Sequence, residues 1–267
     1  MLKFQWPFVW VFAAVASGCA GGPIAPTPAA KSELAPSGTL RIAVFTGNPV
    51  IGSKGKAPGE VTGTTVALGR ELAAGAGLPA SVIEYTAVGK MVEEAKAGAW
   101  DIAVVAFDPA RRNVVDFAPP HMVVDLTYLV KPGANIANVP AADRAGVRIV
   151  AARGAATALT LKRELKAATL VEADTEAAAF EMLRAGQVDA LAQNRFLLLG
   201  LAERLPGSHV LEDRFAAAEM TIIMPHGRPA ALAYVGAFIE EAKRSGAVKQ
   251  AIDGAGLRGV AVAPATR

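Results

Sequence analysis

An apolar run, Ile102 to Ala106, is followed within a few residues by Asp108, Arg111 and Arg112. The run has no polar alternation, as expected of a parallel strand covered on both faces. Ligands of open α/β sheets bind beyond the carboxyl ends of the strands, so a guanidinium just past this strand stands where a small anion would be held. A second anion-binding feature follows Gly154, where residues 155–168 read as a helix. Its first turn offers unsatisfied N–H groups, and Thr157 adds a hydroxyl that serves either the anion or simple capping.

Other chemistries lack their residues. His121, His209 and His226 are scattered, with no second ligand at i+3 or i+4, so no metal is expected. Nucleophile elbow, glycine-rich phosphate loop and Cys/His pair are all missing, and neither catalytic set nor cofactor is expected. With 267 residues, 52% hydrophobic and 19% charged, the chain is globular and rich in core. A formal charge of +3 without a basic run argues against nucleic acid.

The elements that must position Arg111 follow in βα order. Residues 40–45 read as a strand, 62–73 as a helix capped by Thr64 or Thr65, 81–85 as a strand and 88–97 as a helix leading to Asp101. This order predicts a parallel sheet with covering helices. Further on, strands are expected at 145–152 and 170–172, a helix at 174–185 capped by Asp174, and helices at 229–244 and 247–255. Ahead of all this, residues 1–19 read as a signal peptide: Lys3, an apolar core at 8–16, then Ala16-Ser17-Gly18-Cys19. Residues 20–37, rich in Pro, Ala and Gly, read as a linker, able to span about 45 Å if extended. One cysteine permits no internal disulfide.

These motifs carry a resemblance. Asp101-Ile102, then Asp108-Pro109-Ala110-Arg111, then Asp116-Phe117-Ala118-Pro119-Pro120 resemble, without a gap, the pattern "D-hydrophobic, T-P-E-R, D-F-S-x-P-Y" of the extracellular solute-binding proteins of family 3. Gly98-Ala99-Trp100-Asp101 resembles the family's "G-K-Y-D", and the segment from Gly186 to Asn194 its "G-x-V-D-A-x-x-x-D". Residues 123–131 and 220–224 resemble its two crossing strands. The resemblance implies an α/β, two-lobed, periplasmic-binding-protein-like (type II) fold. The first lobe would cover 38–127, the second 128–219, and 220–267 would return to the first. It also implies the substrate-binding component of an ABC importer, a monomer that meets a membrane permease. Such a protein works in the periplasm, and Ala16-Ser17-Gly18-Cys19 resembles a lipobox that would anchor it through a lipid on Cys19.

By the same resemblance Arg111 takes a ligand carboxylate, and the ligand contacts become Arg111, Ala106, Asp108, Phe45, Thr157 and Asn194. Phe45 is read either as core or as an apolar wall. Asn194 stands where relatives have an aspartate that neutralises an ammonium, which suits a carboxylate whose amino group is missing, modified or weakly held. An ordinary amino acid stays open, with Glu219 or Asp213 supplying the charge. Two alternatives on this fold remain: a periplasmic dehydratase-like enzyme and a ligand-sensing accessory protein.

Overall fold

The computed structural model describes residues 25–257 and 259–265. The signal peptide and Cys19 therefore lie outside the described residues. Helix α1 (Pro28–Leu34) leads into β1 (Leu40–Phe45), a small hairpin β2 (Ser53–Lys54) and β3 (Val61–Thr62), then α2 (Thr64–Gly75) and β4 (Ala80–Tyr85). Next come α3 (Val88–Glu93), prolonged by a 3-10 turn at Glu94–Ala97, and β5 (Ile102–Ala106) with a second 3-10 turn at Pro109–Arg111. The long β6 (Val115–Val130) crosses to α4 (Val139–Ala142), β7 (Arg148–Ala152), α5 (Ala156–Glu164), β8 (Thr169–Ala173), α6 (Glu176–Arg184), β9 (Ala190–Asn194), α7 (Arg195–Glu203) and β10 (His209–Val210). The chain returns through β11 (Ala216–Pro225) to α8 (Pro229–Arg244), α9 (Ala247–Gly254) and β12 (Val260–Val262). Among the described residues no helix is long and apolar enough to cross a membrane.

The strands run in the order β4-β1-β5-β11-β6-β9-β7-β8. At one end β4, β1 and β5 are parallel, and at the other β9, β7 and β8 are parallel. In the sheet of the described residues the two halves are joined through β11 and β6, which are antiparallel to each other and to their outer neighbours. This is the expected two-lobed architecture with two crossing strands. A 16-residue strand spans about 50 Å, long enough to belong to both lobes. The crossing ladder is irregular. Its register shifts on both sides of Thr221, opposite Pro120, which like its neighbour Pro119 has no N–H to donate. The Thr221 hydroxyl fills part of the gap by donating to Ala118 O at 2.6 Å. Each lobe packs its own core: Leu40, Ile42, Leu72, Ile102, Val235 and Ile239 in the first, and Ile149, Leu161, Phe180, Leu183 and Leu191 in the second.

Three local expectations give way. The stretch read as an extended linker is helical over Pro28–Leu34, with Thr27 accepting from Ala30 N and Pro28 starting the helix. Ala30 and Leu34 are buried, α1 packs on α8, and Glu33 Oε2 accepts from Ala231 N at 3.0 Å. Burying Leu34 contributes about 2 to 3 kcal/mol, which holds a helix too short to stand alone. Helix α2 is not capped by threonine. Its N-cap is Gly63, at φ 123°, where a Cβ would meet Gly52 Cα at 2.6 Å, and Thr64 instead donates to Val50 O at 2.6 Å. In α6 the cap is Thr175, accepting from Ala178 N, one residue beyond the expected Asp174. Between Asn194 and Met220, where no element was expected, the chain forms α7 and β10.

Candidate functional site

Arg111 ends the 3-10 turn beyond β5. Asp108 caps that turn by accepting from Ala110 N at 2.8 Å, and Pro109 presets its first residue. The arginine is buried, at 5% exposure. Its Nη1 donates to Ala106 O at 2.6 Å and its Nη2 to Gly154 O at 2.7 Å, so the guanidinium reaches from one lobe to the other. Burial pulls its pKa down to about 10, opposed by the nearby charge of Asp108, so it stays protonated at neutral pH. Among the described residues no carboxylate is bonded to it. Asp108 is buried but faces Arg163, at 2.7 Å, and lies outside the cavity wall. Arg112 is exposed, with its guanidinium over the Phe107 ring at 5.1 Å.

On the other side of the cleft, Gly154 turns at φ 72°, with room for a Cβ limited by Gly89 Cα at 3.0 Å. Helix α5 then starts from Ala155, which supplies no side-chain cap. The Thr157 hydroxyl, buried in that first turn, has no hydrogen-bond partner among the described residues. A buried hydroxyl left unpaired costs stability, so this one is available to an incoming acceptor.

Phe45, Ala106, Arg111, Thr157 and Asn194 line one cavity of about 40 Å³, and of the expected contacts only Asp108 is not part of its wall. Most of the remaining wall is apolar, with Val50, Val88, Val105, Leu126 and Met220 among it. Asn194 is less free than its position in the sequence implied. Its Oδ1 accepts from Leu197 N at 2.8 Å and caps α7, while its Nδ2 donates to Asn48 Oδ1 at 3.1 Å and Gln193 Oε1 at 3.2 Å. The carboxylates expected as alternatives are elsewhere: Glu219 is exposed on β11, and Asp213 is exposed and accepts from Val139 N.

One carboxyl in the wall was not anticipated. Glu176, the first residue of α6, lines this cavity and also a larger one of about 390 Å³. The residue as a whole is half-buried, and desolvation pushes its pKa up to about 7 against the opposing hydrogen bond from Gln193. In the sequence it reads as an ordinary acid in a first helical turn, where the helix dipole favours one. Only the packing of α6 beside β7 and β9 brings it to the cleft. Among the described residues no group of three His, Cys, Asp or Glu side chains could hold a metal ion. The arrangement is thus a buried cation, an unpaired hydroxyl and a carboxyl around a small, largely apolar space.

Known proteins are similar to this chain in sequence and in fold. The glutamine-binding protein of Geobacillus stearothermophilus is 29% identical over 115 residues, 43% of this chain and 44% of its own length. The ABC transporter glutamine-binding protein GlnH of Bacillus subtilis is 24% identical over 145 residues, 54% of this chain and 53% of its own. The chain thus spans about half the length of the curated relatives it matches. In fold it is similar to the crystal structure of a solute receptor for L-cysteine of Neisseria gonorrhoeae, with a TM-score of 0.73 at 23% identity over 85% of this chain and 92% of that one. The family model of the bacterial extracellular solute-binding proteins, family 3, matches residues 40–254. By that match, covering both lobes and both crossing strands, the chain belongs to the bacterial extracellular solute-binding proteins of family 3.

Proposed function

We propose that the chain is the substrate-binding component of an ABC importer and takes a small carboxylate-bearing solute, an amino acid or a close analogue, in the cleft between its lobes. The observation that carries this reading is Arg111, a buried cation between the lobes whose partners are two backbone carbonyls. A carboxylate entering the cleft would exchange neutral contacts for a charge-assisted pair in a low-dielectric setting. The Thr157 hydroxyl and the first amides of α5 would complete its cradle, and Phe45 would form an apolar wall.

The lobes assigned here are 38–127 with 220–267, extended by α1, and 128–219. Bonds such as Arg111 to Gly154, Asn194 to Asn48 and Asp108 to Arg163 join parts of the chain on opposite sides of the cleft. Contacts of this kind exist only when the cleft is closed, so a ligand that adds to them shifts the population toward closure. The closed monomer would then dock on a membrane permease outside the cytoplasm, with the protein held at the membrane by a lipid on Cys19. The names of the relatives, glutamine-binding proteins among them, support an amino-acid-like ligand.

A thermal-shift screen of the purified full chain against amino acids, their keto and N-acyl analogues and small dicarboxylates tests the reading. A ligand at a hundred times its Kd adds about 2.7 kcal/mol to native stability. The expected result is stabilisation by a carboxylate that disappears in Arg111→Ala. An equal response of the variant, or none from the wild type, would reject the carboxylate site.

A further inference from the structure

One cavity is lined by both a cation and a carboxyl, contributed by different lobes: Arg111 from the turn after β5 and Glu176 from the start of α6. Asn194 cannot easily share the negative role. Its oxygen caps α7 and its amide hydrogens go to Asn48 and Gln193. The same network orients Gln193. Its Oε1 accepts from Asn194 N at 2.8 Å and from Asn194 Nδ2, which leaves its own N–H groups for Glu176.

We propose that Glu176 is the negative pole of the cleft, so that a ligand with an ammonium a few bonds from its carboxylate is held between Glu176 and Arg111. The deaminated acid would find only half of this site. The inference rests on the carboxylate reading above and names the second contact of the same site.

Among the described residues the charged groups around Glu176 leave it without a cation of its own. Arg111 is bonded to carbonyls. Of the groups that line the larger cavity with Glu176, Lys54 pairs with Glu84 at 3.1 Å, Glu181 pairs with Arg184, and Arg204 lies over the Phe180 ring at 4.9 Å. With no cation beside it, burial keeps the carboxyl largely protonated until about pH 7. An arriving ammonium favours the carboxylate. Binding then converts Glu–COOH and R–NH₃⁺ into a Glu–COO⁻···⁺H₃N–R pair and releases one proton to solvent. Affinity for the amino-bearing ligand therefore rises with pH, by about tenfold between pH 6 and pH 8.

Isothermal titration of the full chain with L-alanine, L-glutamine and L-cysteine against propionate, 4-carbamoylbutanoate and 3-mercaptopropionate, at pH 6 and pH 8, separates the two claims. The expected result is a preference of at least tenfold for the amino-bearing member of a pair. That preference should grow with pH, with proton release seen in buffers of different ionisation enthalpy. Glu176→Gln should close the gap within the pair and flatten the pH profile, and Glu176→Asp should retain both. Equal affinities within the pairs, or a preference and pH slope unchanged in Glu176→Gln, would overturn the role of Glu176 and leave the carboxylate site standing. A Glu176→Gln chain that binds neither member, together with an aspartate variant that restores no preference, would overturn it too. If Arg111→Ala binds every probe as the wild type does, the carboxylate site itself falls and this inference with it.

Discussion

Strand β5 has a buried charge near each of its ends, and the two are satisfied in opposite ways. Asp101, just before the strand, is fully buried and takes Arg41 Nε at 2.9 Å, Arg41 Nη2 at 2.8 Å, the Arg41 amide at 2.9 Å and Arg228 Nη1 at 2.9 Å. Two cations and a backbone donor close its coordination, and they tie β1 and the start of α8 to β5. Arg111, past the other end, finds only carbonyl oxygens. The first end is finished without a ligand, whereas the second holds a cation that no carboxylate among the described residues bonds. That difference agrees with the general placement of ligand sites outside the carboxyl ends of parallel strands.

Removing a charge at each end should therefore give different results. Asp101→Ala leaves two arginines facing an empty space, and breaking a buried pair by deleting one partner costs about 3 to 5 kcal/mol. Urea unfolding would measure it, and a loss below about 1 kcal/mol would break the comparison.

His121 sharpens it from the neutral side. It is fully buried on β6, neither ring nitrogen has a partner, and desolvation, with Lys243 nearby, lowers its pKa from 6.5 to about 3. The unfolded chain then binds one more proton than the native one between those values. Stability is complete above about pH 6.5 and is lost as pH falls toward 3, on the order of 5 kcal/mol in all. His121→Leu should flatten that part of the stability profile, and a profile unchanged in the variant would show that another group titrates.

Arg111→Met keeps the apolar stem but removes the charge. Two carbonyls lose a donor while a buried cation is relieved of its desolvation, so stability should change by less than about 2 kcal/mol in either direction. Stabilisation by carboxylates should vanish at the same time. A large loss of stability with binding intact would make Arg111 a second Asp101.

The smallest effect belongs to Asp108→Asn, which weakens the pair with half-exposed Arg163 across the cleft. Solvent screening limits this to about 0.5 to 1 kcal/mol. Ligand affinity should fall two- to fivefold while the Arg111 dependence of binding persists, and loss of all binding would place Asp108 in the site itself.

The elements legible in the sequence were those whose burial is local and periodic. The unbroken apolar run of β5, the stripe of Leu232, Val235 and Ile239 on α8 and the glycine-bounded turn at Gly98 announce themselves at short range. Helix α1 did not, because its alanine-rich residues become a buried face only against α8, some 200 positions later in the chain. Asn194 could be aligned from its neighbours, but its atoms were committed by α7 and by Asn48, neither of which the pattern around it reveals.

The sequence by itself thus determined the alternation of strands and helices leading to Arg111, the family and the position of Arg111 past its strand, because each depends on side chains close together in the chain. Only the tertiary structure decided which groups face one another across the cleft. It put Asp108 outside the cavity, occupied Asn194 and brought Glu176 into the same cavity wall as Arg111. Those outcomes depend on how the crossing strands set one lobe against the other, a geometry to which distant residues contribute jointly and which no local spacing encodes.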